Sequence, residues 1–166
     1  MNLGKAVNSW SQLEAVLLAK VQNAMVKEGQ FLKEKVEENY DKLITNAYTP
    51  TVYERTGQLK DSLFSKTPKV KNKTVEVEVK HDTDKIISSE PNQHYSVVDN
   101  YSRKDVSDWM PWIVMKGKSG DILGQGAWTE ARDYMEKTKQ DLESNGEHVD
   151  KLVQFLRQEG LNATKG

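Results

Sequence analysis

A long helical pattern in the first third of the chain most constrains what it can fold into. Apolar residues recur there mostly three or four positions apart, which aligns them on one side of a helix; the series is Leu13, Leu17, Val21, Ala24, Leu32, Val36, Tyr40, Leu43 and Ala47. Pro50 ends the pattern. A helix over residues 11–48 would be about 57 Å long at about 1.5 Å per residue. Because a compact domain of 166 residues is narrower than that, part of the apolar side must pack elsewhere.

Two local features refine this helix. Ser11 and Glu14 have the spacing of a capping box, which predicts a helix start at Ser11. Glu28 and Gly29 interrupt the apolar series, and an interior Gly costs about 1 kcal/mol relative to Ala, so we expect a kink or a frayed turn there. A two-stranded coiled coil and packing on the helix's own domain both remain open.

The composition indicates a thin core for a chain of this length. Hydrophobic residues make up 36%, and the ten glycines still leave the total short of the roughly 45–50% of ordinary domains. Charged residues make up 30%. An elongated molecule, or one completed by neighbouring subunits, fits these values. The absence of Cys excludes disulfide scaffolds and thiolate metal sites. The longest apolar runs are far shorter than the ~20 residues that span a bilayer, so we expect no membrane partner.

The middle of the chain has the patterns of β-structure. Residues 74–80 alternate between valines and charged residues, which predicts a half-buried antiparallel strand. Residues 71–73 suit a turn back to a strand over residues 64–70, in which Pro68 marks an edge or a bulge. Further short strands are predicted at residues 95–98 and 112–115. Residues 81–93 and 100–108 are polar and are predicted to be loops.

The last part of the chain has helical patterns again. Thr129 can cap a helix that Asn145 and Gly146 end, and a second helix would follow and end at Gly160. We therefore predict one α+β domain with a long N-terminal helix, a small antiparallel β-sheet and one or two C-terminal helices. Its three parts are a helical arm over residues 1–49, a β-rich region with long loops over 50–126, and C-terminal helices and a tail over 127–166.

A search for catalytic or metal-binding patterns gives negative results. The three histidines lack the spacing of a zinc site, and His81-Asp82-Thr83-Asp84 lacks the glycine and glutamate of a calcium loop. Gly117-Lys118-Ser119 lacks the first glycine of a phosphate-binding loop, since Trp112 stands at that position. We expect no enzyme activity, no catalytic or metal-binding residue and no cofactor.

Aromatic residues concentrate in Trp109-Met110-Pro111-Trp112. This segment suits either a small core or a subunit interface, with Trp109, Trp112 and Trp128 as candidate interface aromatics. Stacking on single-stranded bases is the alternative, although the segment has no interleaved Lys or Arg.

Charge is unevenly distributed on a chain of net charge −1. Residues 58–74 hold five lysines and one aspartate, whereas residues 129–150 hold seven carboxylates and three basic residues. Opposite patches suit head-to-tail packing of identical subunits, or they are ordinary solvated faces. A basic patch of Lys66, Lys69, Lys71 and Lys73 could meet a complementary surface, or line a DNA conduit through non-specific contacts.

One segment carries a family resemblance. Residues 53–63 read Tyr-Glu-Arg-Thr-Gly-Gln-Leu-Lys-Asp-Ser-Leu. They resemble the Arg-Thr-Gly-x-Leu-(Arg/Lys)-x-Ser-(Ile/Leu) segment of the tail-completion, or head–tail joining, proteins of long-tailed phages, the group that includes minor tail protein Z. The order of elements agrees, as does Ala131-Arg132 near the last helices, although Asp133-Tyr134 replaces the usual proline and phenylalanine.

The resemblance implies a structural virion protein of the phage neck, assembled in the host cytoplasm. It implies a ring, with sixfold symmetry expected, that contacts connector or stopper proteins and tail-terminator or tail-tube proteins. The motif residues expected at a subunit interface or a structural corner are Arg55, Thr56, Gly57, Leu59, Ser62 and Leu63. Of these, Leu59 and Leu63 would be buried, Ser62 would be exposed like Lys60, and Arg55 could reach an adjacent subunit. A non-catalytic adaptor that forms a helical dimer is the alternative function.

Overall fold

The computed structural model describes residues 9–47, 56–86, 103–117 and 130–166. The described part contains five α-helices and four short strands, together with one π-helical and one 3-10 turn. The elements are α1 Trp10–Tyr40, a π-helical turn Asp41–Thr45, α2 Gln58–Asp61, β1 Leu63–Ser65, β2 Lys69–Lys71, β3 Thr74–Glu76, β4 Val79–His81, a 3-10 turn Thr83–Lys85, α3 Arg103–Lys116, α4 Tyr134–Asn145 and α5 Glu147–Gln158. The predicted α+β class, with its long N-terminal helix, small antiparallel sheet and C-terminal helices, is confirmed.

Helix α1 is continuous over 31 residues. Its cap is Ser9, whose hydroxyl accepts a hydrogen bond from the backbone N–H of Gln12 at 3.2 Å. The prediction of a start at Ser11 is therefore wrong by two residues. The expected frayed turn at Glu28 and Gly29 is also wrong, since both residues lie buried within the uninterrupted helix.

Gly29 is the point where the β-structure crosses α1. A Cβ atom at this position would lie 2.1 Å from Ser65 Oγ and 2.6 Å from Val77 Cγ2, so only glycine allows this approach. The glycine that looks like a helix breaker in the sequence therefore serves close packing between two elements.

The four strands form one long two-stranded ribbon, defined here as residues 63–81. Leu63 pairs with His81 and Lys69 pairs with Glu76, both in antiparallel register. Between these pairs the first strand has one residue more than the second, so a bulge lies beside Pro68. The predicted turn is present, because Asn72 and Lys73 have φ values of 49° and 65°, as a two-residue hairpin turn requires.

Helix α3 differs most from the sequence prediction. The strand predicted at residues 112–115 is wrong, and so is the loop predicted over residues 103–108, because α3 runs through both. Its inner side buries Ile113 and Val114, while Trp109 and Trp112 lie on its outer side. Pro111 lies inside the helix. The strand predicted at residues 95–98 lies outside the described residues.

The C-terminal helices end where their sequence signals predict. The cap of α4 is Asp133, whose carboxylate accepts a hydrogen bond from the N–H of Glu136 at 3.0 Å, so the prediction of Thr129 as the cap is wrong. Gly146 and Gly160 have φ values of 65° and 77°, as left-handed helix ends require. Helix α5 lies along α1, with its start near Lys35 and its end near Asn23.

The main core cluster lies around the C-terminal end of α1. It is a cluster of six buried residues, which are Val36, Tyr40, Ile44, Leu63, Val114 and Tyr134. Leu59, Val79, Met110 and Met135 pack against this cluster. The ribbon, α2, α3 and α4 each contribute side chains to this core. These elements therefore pack together around one end of α1.

Candidate functional site

The Thr-Gly motif forms a corner between the α1 region and the ribbon. Gly57 has φ 76° and directly precedes α2, a left-handed conformation that favours glycine. Leu59 packs against the core and Leu63 is 2% exposed. Ser62 is fully buried, so the prediction that it would be exposed is wrong. Arg55 lies outside the described residues.

Lys60 and Asp41 fix this corner from the outside. Lys60 Nζ lies 2.6 Å from Asp41 Oδ2, in the π-helical turn that follows α1. The ammonium group lowers the pKa of the Asp41 carboxyl below its usual value, chiefly through this hydrogen bond.

A row of three polar side chains runs through the buried side of the corner. His81 Nδ1 lies 2.6 Å from Ser62 Oγ, and His81 Nε2 lies 2.7 Å from the hydroxyl of Tyr134. The Ser62 hydroxyl donates to the carbonyl of Leu59 at 2.7 Å. Its single proton is thereby used, so we assign the Nδ1–H tautomer to His81, with Nε2 accepting from Tyr134.

Burial keeps the polar row uncharged. Desolvation lowers the pKa of His81 to about 4 and raises the pKa of Tyr134 well above its usual value. The Tyr134 ring stands edge-on to both Tyr40 and His81, with centroid distances of 5.1 and 5.8 Å. This row therefore links α2, β4 and α4 through hydrogen bonds between neutral groups, and the ring contact between Tyr134 and Tyr40 joins the row to α1.

The Ser62–His81 distance is that of a nucleophile and its base, but the surroundings do not suit catalysis. Ser62 has no exposed surface on which a substrate could bind, and Tyr134 occupies the second nitrogen of His81. The arrangement suits a structural role at the corner.

Glu28 is a second buried titratable group. It is 4% exposed, and its Oε2 atom has no hydrogen-bond partner among the described residues. Burial raises the pKa of its carboxyl to about 7. Glu28 lies near the middle of α1, directly before the Gly29 crossing.

The four lysines of the predicted basic patch differ in their surroundings. Lys66 pairs with Glu78 at 2.6 Å and Lys73 pairs with Glu14 of α1 at 3.2 Å. Within the described residues, Lys69 and Lys71 form no ion pair, and the whole of β2 is exposed. Residues 69–76, which form the turn end of the ribbon, are called the ribbon tip here. Lys69 and Lys71 of this tip are therefore available to a partner.

The acidic helices are largely neutralised within the molecule. Of the seven carboxylates in residues 129–150, five form ion pairs: Glu130–Arg132, Asp133–Lys116, Asp141–Lys137, Glu147–Lys35 and Asp150–Lys165. The cations come partly from α1, α3 and the C-terminal tail, so a count of local sequence charge overstates the acidity of this surface.

Large apolar side chains are exposed at the N-terminal end of α1 and on α3. Trp10 is 86% exposed and Leu17 is 42% exposed, in a segment where no residue from 10 to 19 is buried. On α3, Trp112 is 49% exposed and Trp109 is 37% exposed, one helical turn apart. Trp128 lies outside the described residues. Exposed tryptophans of this kind are characteristic of interaction surfaces.

Neither metal clusters nor membrane spans are found in the described ranges. There, no three His, Asp or Glu side chains are grouped as metal ligands would be. None of the helices described has both the length and the apolar character needed to cross a membrane.

Three important residues of the site and its surroundings were not predicted from the sequence, namely His81, Tyr134 and Trp10. Asp133 and Tyr134 were noted only as a departure from the family pattern, yet they are the cap and the buried aromatic of α4. The partners of His81 lie 19 and 53 positions away, so no local pattern could reveal them.

Comparison with known proteins gives one family match. No curated protein and no solved structure matches the chain. The family model YomN matches residues 9–158, which takes in every described element. YomN is a Bacillus phage-type protein, so the match indicates that this chain is a phage-associated protein. Since the match spans most of its length, the chain belongs to the YomN family.

Proposed function

We propose that this chain is a structural protein of the phage particle, which completes the tail and joins it to the head connector. It would act without catalysis or a cofactor, as one subunit of a ring around the DNA conduit, with six subunits expected. Membership of the YomN family supports the association with phages. The resemblance of residues 55–63 to tail-completion proteins supports the finer assignment.

The exposed tryptophans carry the proposal of an assembly role. Trp10 and Trp112 are 86% and 49% exposed, although the chain is only 36% hydrophobic and needs its large side chains for a core. Burial of such residues between subunits would recover apolar surface that the protomer leaves in water.

Particle assembly tests this function directly. Phage that lacks the gene should accumulate filled heads and separate tails, and the intact gene supplied in trans should restore joined particles. Antibody labelling should mark the neck. Normal particles without the gene, or labelling of another structure, would refute the proposal.

The basic ribbon tip provides a separate test of the conduit. Lys69 and Lys71 would meet DNA or an acidic neighbouring protein through mild, non-specific attraction. The combined change Lys69→Glu, Lys71→Glu and Lys73→Glu should reduce head–tail joining, whereas Lys139→Glu on the exposed side of α4 should not. Equal joining by both variants would exclude a role for the tip.

A dimeric adaptor is the second candidate, and the exposed end of α1 favours it. Trp10 and Leu17 could form a short helical dimer with a second chain. Sedimentation in the presence of purified tails separates the two functions: a dimer that remains a dimer supports the adaptor, and binding to the tail end supports the neck protein.

A further inference from the structure

The outer edge of strand β2 is free within the described part of the molecule. Strand β2 pairs with β3 along its other edge, with Lys69 opposite Glu76 and Lys71 opposite Thr74. Both sheet segments of the ribbon are two-stranded, so no third strand of the described residues lies beside β2. All three residues of β2 are exposed. Strand β3 differs, because it lies beside α1.

The backbone of Val70 provides the hydrogen-bonding groups of this edge. In an antiparallel ribbon closed by a two-residue turn, the pair beside the turn exchanges two hydrogen bonds, and the next pair exchanges none. Lys71 and Thr74 form the first of these pairs, and Val70 and Val75 form the second. The N–H and C=O groups of Val70 therefore point away from β3, and neither has a backbone partner among the described residues. Pro68 has no N–H, so the donor edge is short.

The side chains of β2 define what a third strand must carry. Lys69 and Lys71 lie on one face of the ribbon, two residues apart, and neither forms an ion pair within the described residues. Val70 lies on the opposite face and is 41% exposed. Side chains directly opposite each other on neighbouring strands lie about 5 Å apart, so opposite charges attract and like charges repel. A complementary strand therefore carries acidic residues at alternate positions, with an apolar residue between them.

Strand β3 shows this chemistry on the paired edge of β2. Residues 74–78 read Thr-Val-Glu-Val-Glu, in which valine alternates with polar or acidic residues. This pattern places Glu76 opposite Lys69 and Val75 opposite Val70. A strand of the same chemistry would satisfy the free edge in the same way.

Two other partners fit this edge less well. The same strand of a second copy would set Lys69 and Lys71 against lysines, which is unfavourable. DNA would use only these two lysines, and the affinity of non-specific binding rises with the number of phosphates neutralised. Phosphate groups would also leave the side chain of Val70 in water. An acidic strand uses the charges, the amide and the apolar side chain together.

We infer that the free edge of β2 binds an extended segment of a partner protein in which acidic and apolar residues alternate. The segment adds a third strand to the ribbon tip, with main-chain hydrogen bonds to Val70 and ion pairs to Lys69 and Lys71. Three strands are more stable in water than an isolated two-stranded hairpin. The edge itself is independent of any phage role, whereas the assignment of the partner to a neighbouring neck or tail protein rests on the proposed function.

A synthetic peptide tests the inference on the full chain. The probe has the sequence of residues 74–79, Thr-Val-Glu-Val-Glu-Val, with both ends blocked, and the control peptide has Gln in place of both Glu. NMR titration of the isotope-labelled chain measures the dissociation constant, and hydrogen exchange measures protection of the Val70 amide. The acidic peptide should bind and slow the exchange of this amide. The Gln peptide should bind roughly tenfold more weakly.

Substitutions in β2 separate the backbone contact from the charges. Val70→Pro removes the outward N–H and keeps both lysines, and an edge strand tolerates proline where the N–H faces solvent. This variant should bind the acidic peptide roughly fivefold more weakly, whereas the matched control Val70→Thr should bind it like the wild type. Lys71→Gln should weaken binding roughly threefold, and Lys139→Gln on the exposed side of α4 should not. Protection of the Val70 amide in the wild type decides the result if Val70→Pro does not fold.

Each contrary result has a distinct meaning. If a short DNA duplex binds at the ribbon tip and the acidic peptide does not, the tip is a phosphate-binding surface and the inference is wrong. Absence of peptide binding, or binding without protection of the Val70 amide, would also overturn the inference and leave the proposed function intact. Peptide binding by a chain whose loss leaves phage particles normal would overturn the proposed function and keep β2 as a strand-binding edge.

Discussion

The two ends of α1 share one helix and one apolar periodicity, yet they meet different surroundings. At the C-terminal end, Tyr40 and Ile44 are buried by the ribbon, α3 and α4. At the N-terminal end, Trp10 and Leu17 face solvent, and the ion pair between Glu14 and Lys73 is exposed. Apolar spacing along a helix thus shows which side tends to be buried against another surface. The rest of the fold decides whether that surface belongs to the same chain.

Replacing one aromatic residue that packs at the C-terminal end of α1 and one at its exposed N-terminal end should give the largest difference in the free energy of unfolding. Tyr134→Ala should lower the free energy of unfolding by about 3–5 kcal/mol, because it opens a cavity in the core and leaves His81 without its donor. Trp10→Ala should change it by less than about 0.5 kcal/mol. Urea denaturation of both variants measures this, and equal losses would contradict the contrast between the two ends.

Acid should weaken the packed end through His81. The pKa of His81 is about 4 in the folded chain, against an ordinary value of 6.5. Below pH 6.5 the unfolded chain therefore binds the proton more readily, and stability is lost as the pH falls from 6.5 to 4. The loss should approach about 3 kcal/mol, at about 1.4 kcal/mol per pKa unit.

An NMR titration of the imidazole C–H signals measures this pKa directly. The substitution His81→Gln assigns the resonance, because the His81 signal disappears. The same variant should lose less stability than the wild type as the pH falls from 6.5 to 4. A His81 signal that titrates near pH 6.5 would show that the row is open to water.

Glu28, near the middle of α1, should act in the opposite direction. Burial raises its pKa from 4.5 to about 7, so the folded chain holds the proton while the unfolded chain loses it. Stability is therefore lost as the pH rises from 4.5 to 7. Glu28→Gln should remove this loss and be more stable than the wild type at pH 8 by about 2 kcal/mol. The same comparison at pH 4.5 is the control and should show little gain from the substitution.

The smallest effect is expected at the exposed end. Lys73→Ala breaks the pair with Glu14, in which the two side chains are 84% and 58% exposed. Solvent screens such pairs, so the melting temperature should not change measurably. A clear drop that disappears in high salt would show that the ribbon tip holds α1 more firmly than its exposure indicates.

Local sequence signals predicted the elements that depend on neighbouring residues. The α1 periodicity, the turn at Asn72 and Lys73, the bulge beside Pro68 and the helix end at Gly146 all depend on such short-range preferences. Helix α3 was missed because Trp112, Ile113 and Val114 favour strands locally. Burial of one side of the segment against the core outweighs that preference.

In the candidate site, too, local features were predictable from the sequence and contacts between distant residues were not. The Thr-Gly motif predicted a corner, and Gly57 forms it. The buried row was beyond prediction, because Ser62, His81 and Tyr134 come from three separate elements. The charges were only partly predictable, since residues such as Lys35 neutralise carboxylates that lie far along the chain.

The sequence by itself determined the α+β class, the long helix, the ribbon turn and the helix ends, because backbone preference and side-chain periodicity are local properties. Only the tertiary structure decided that Gly29 allows the ribbon to pack closely across α1, that Ser62 is buried and that α3 is a helix. It also decided which apolar residues stay in water, because burial depends on the elements that meet in space, and those elements lie far apart in the chain.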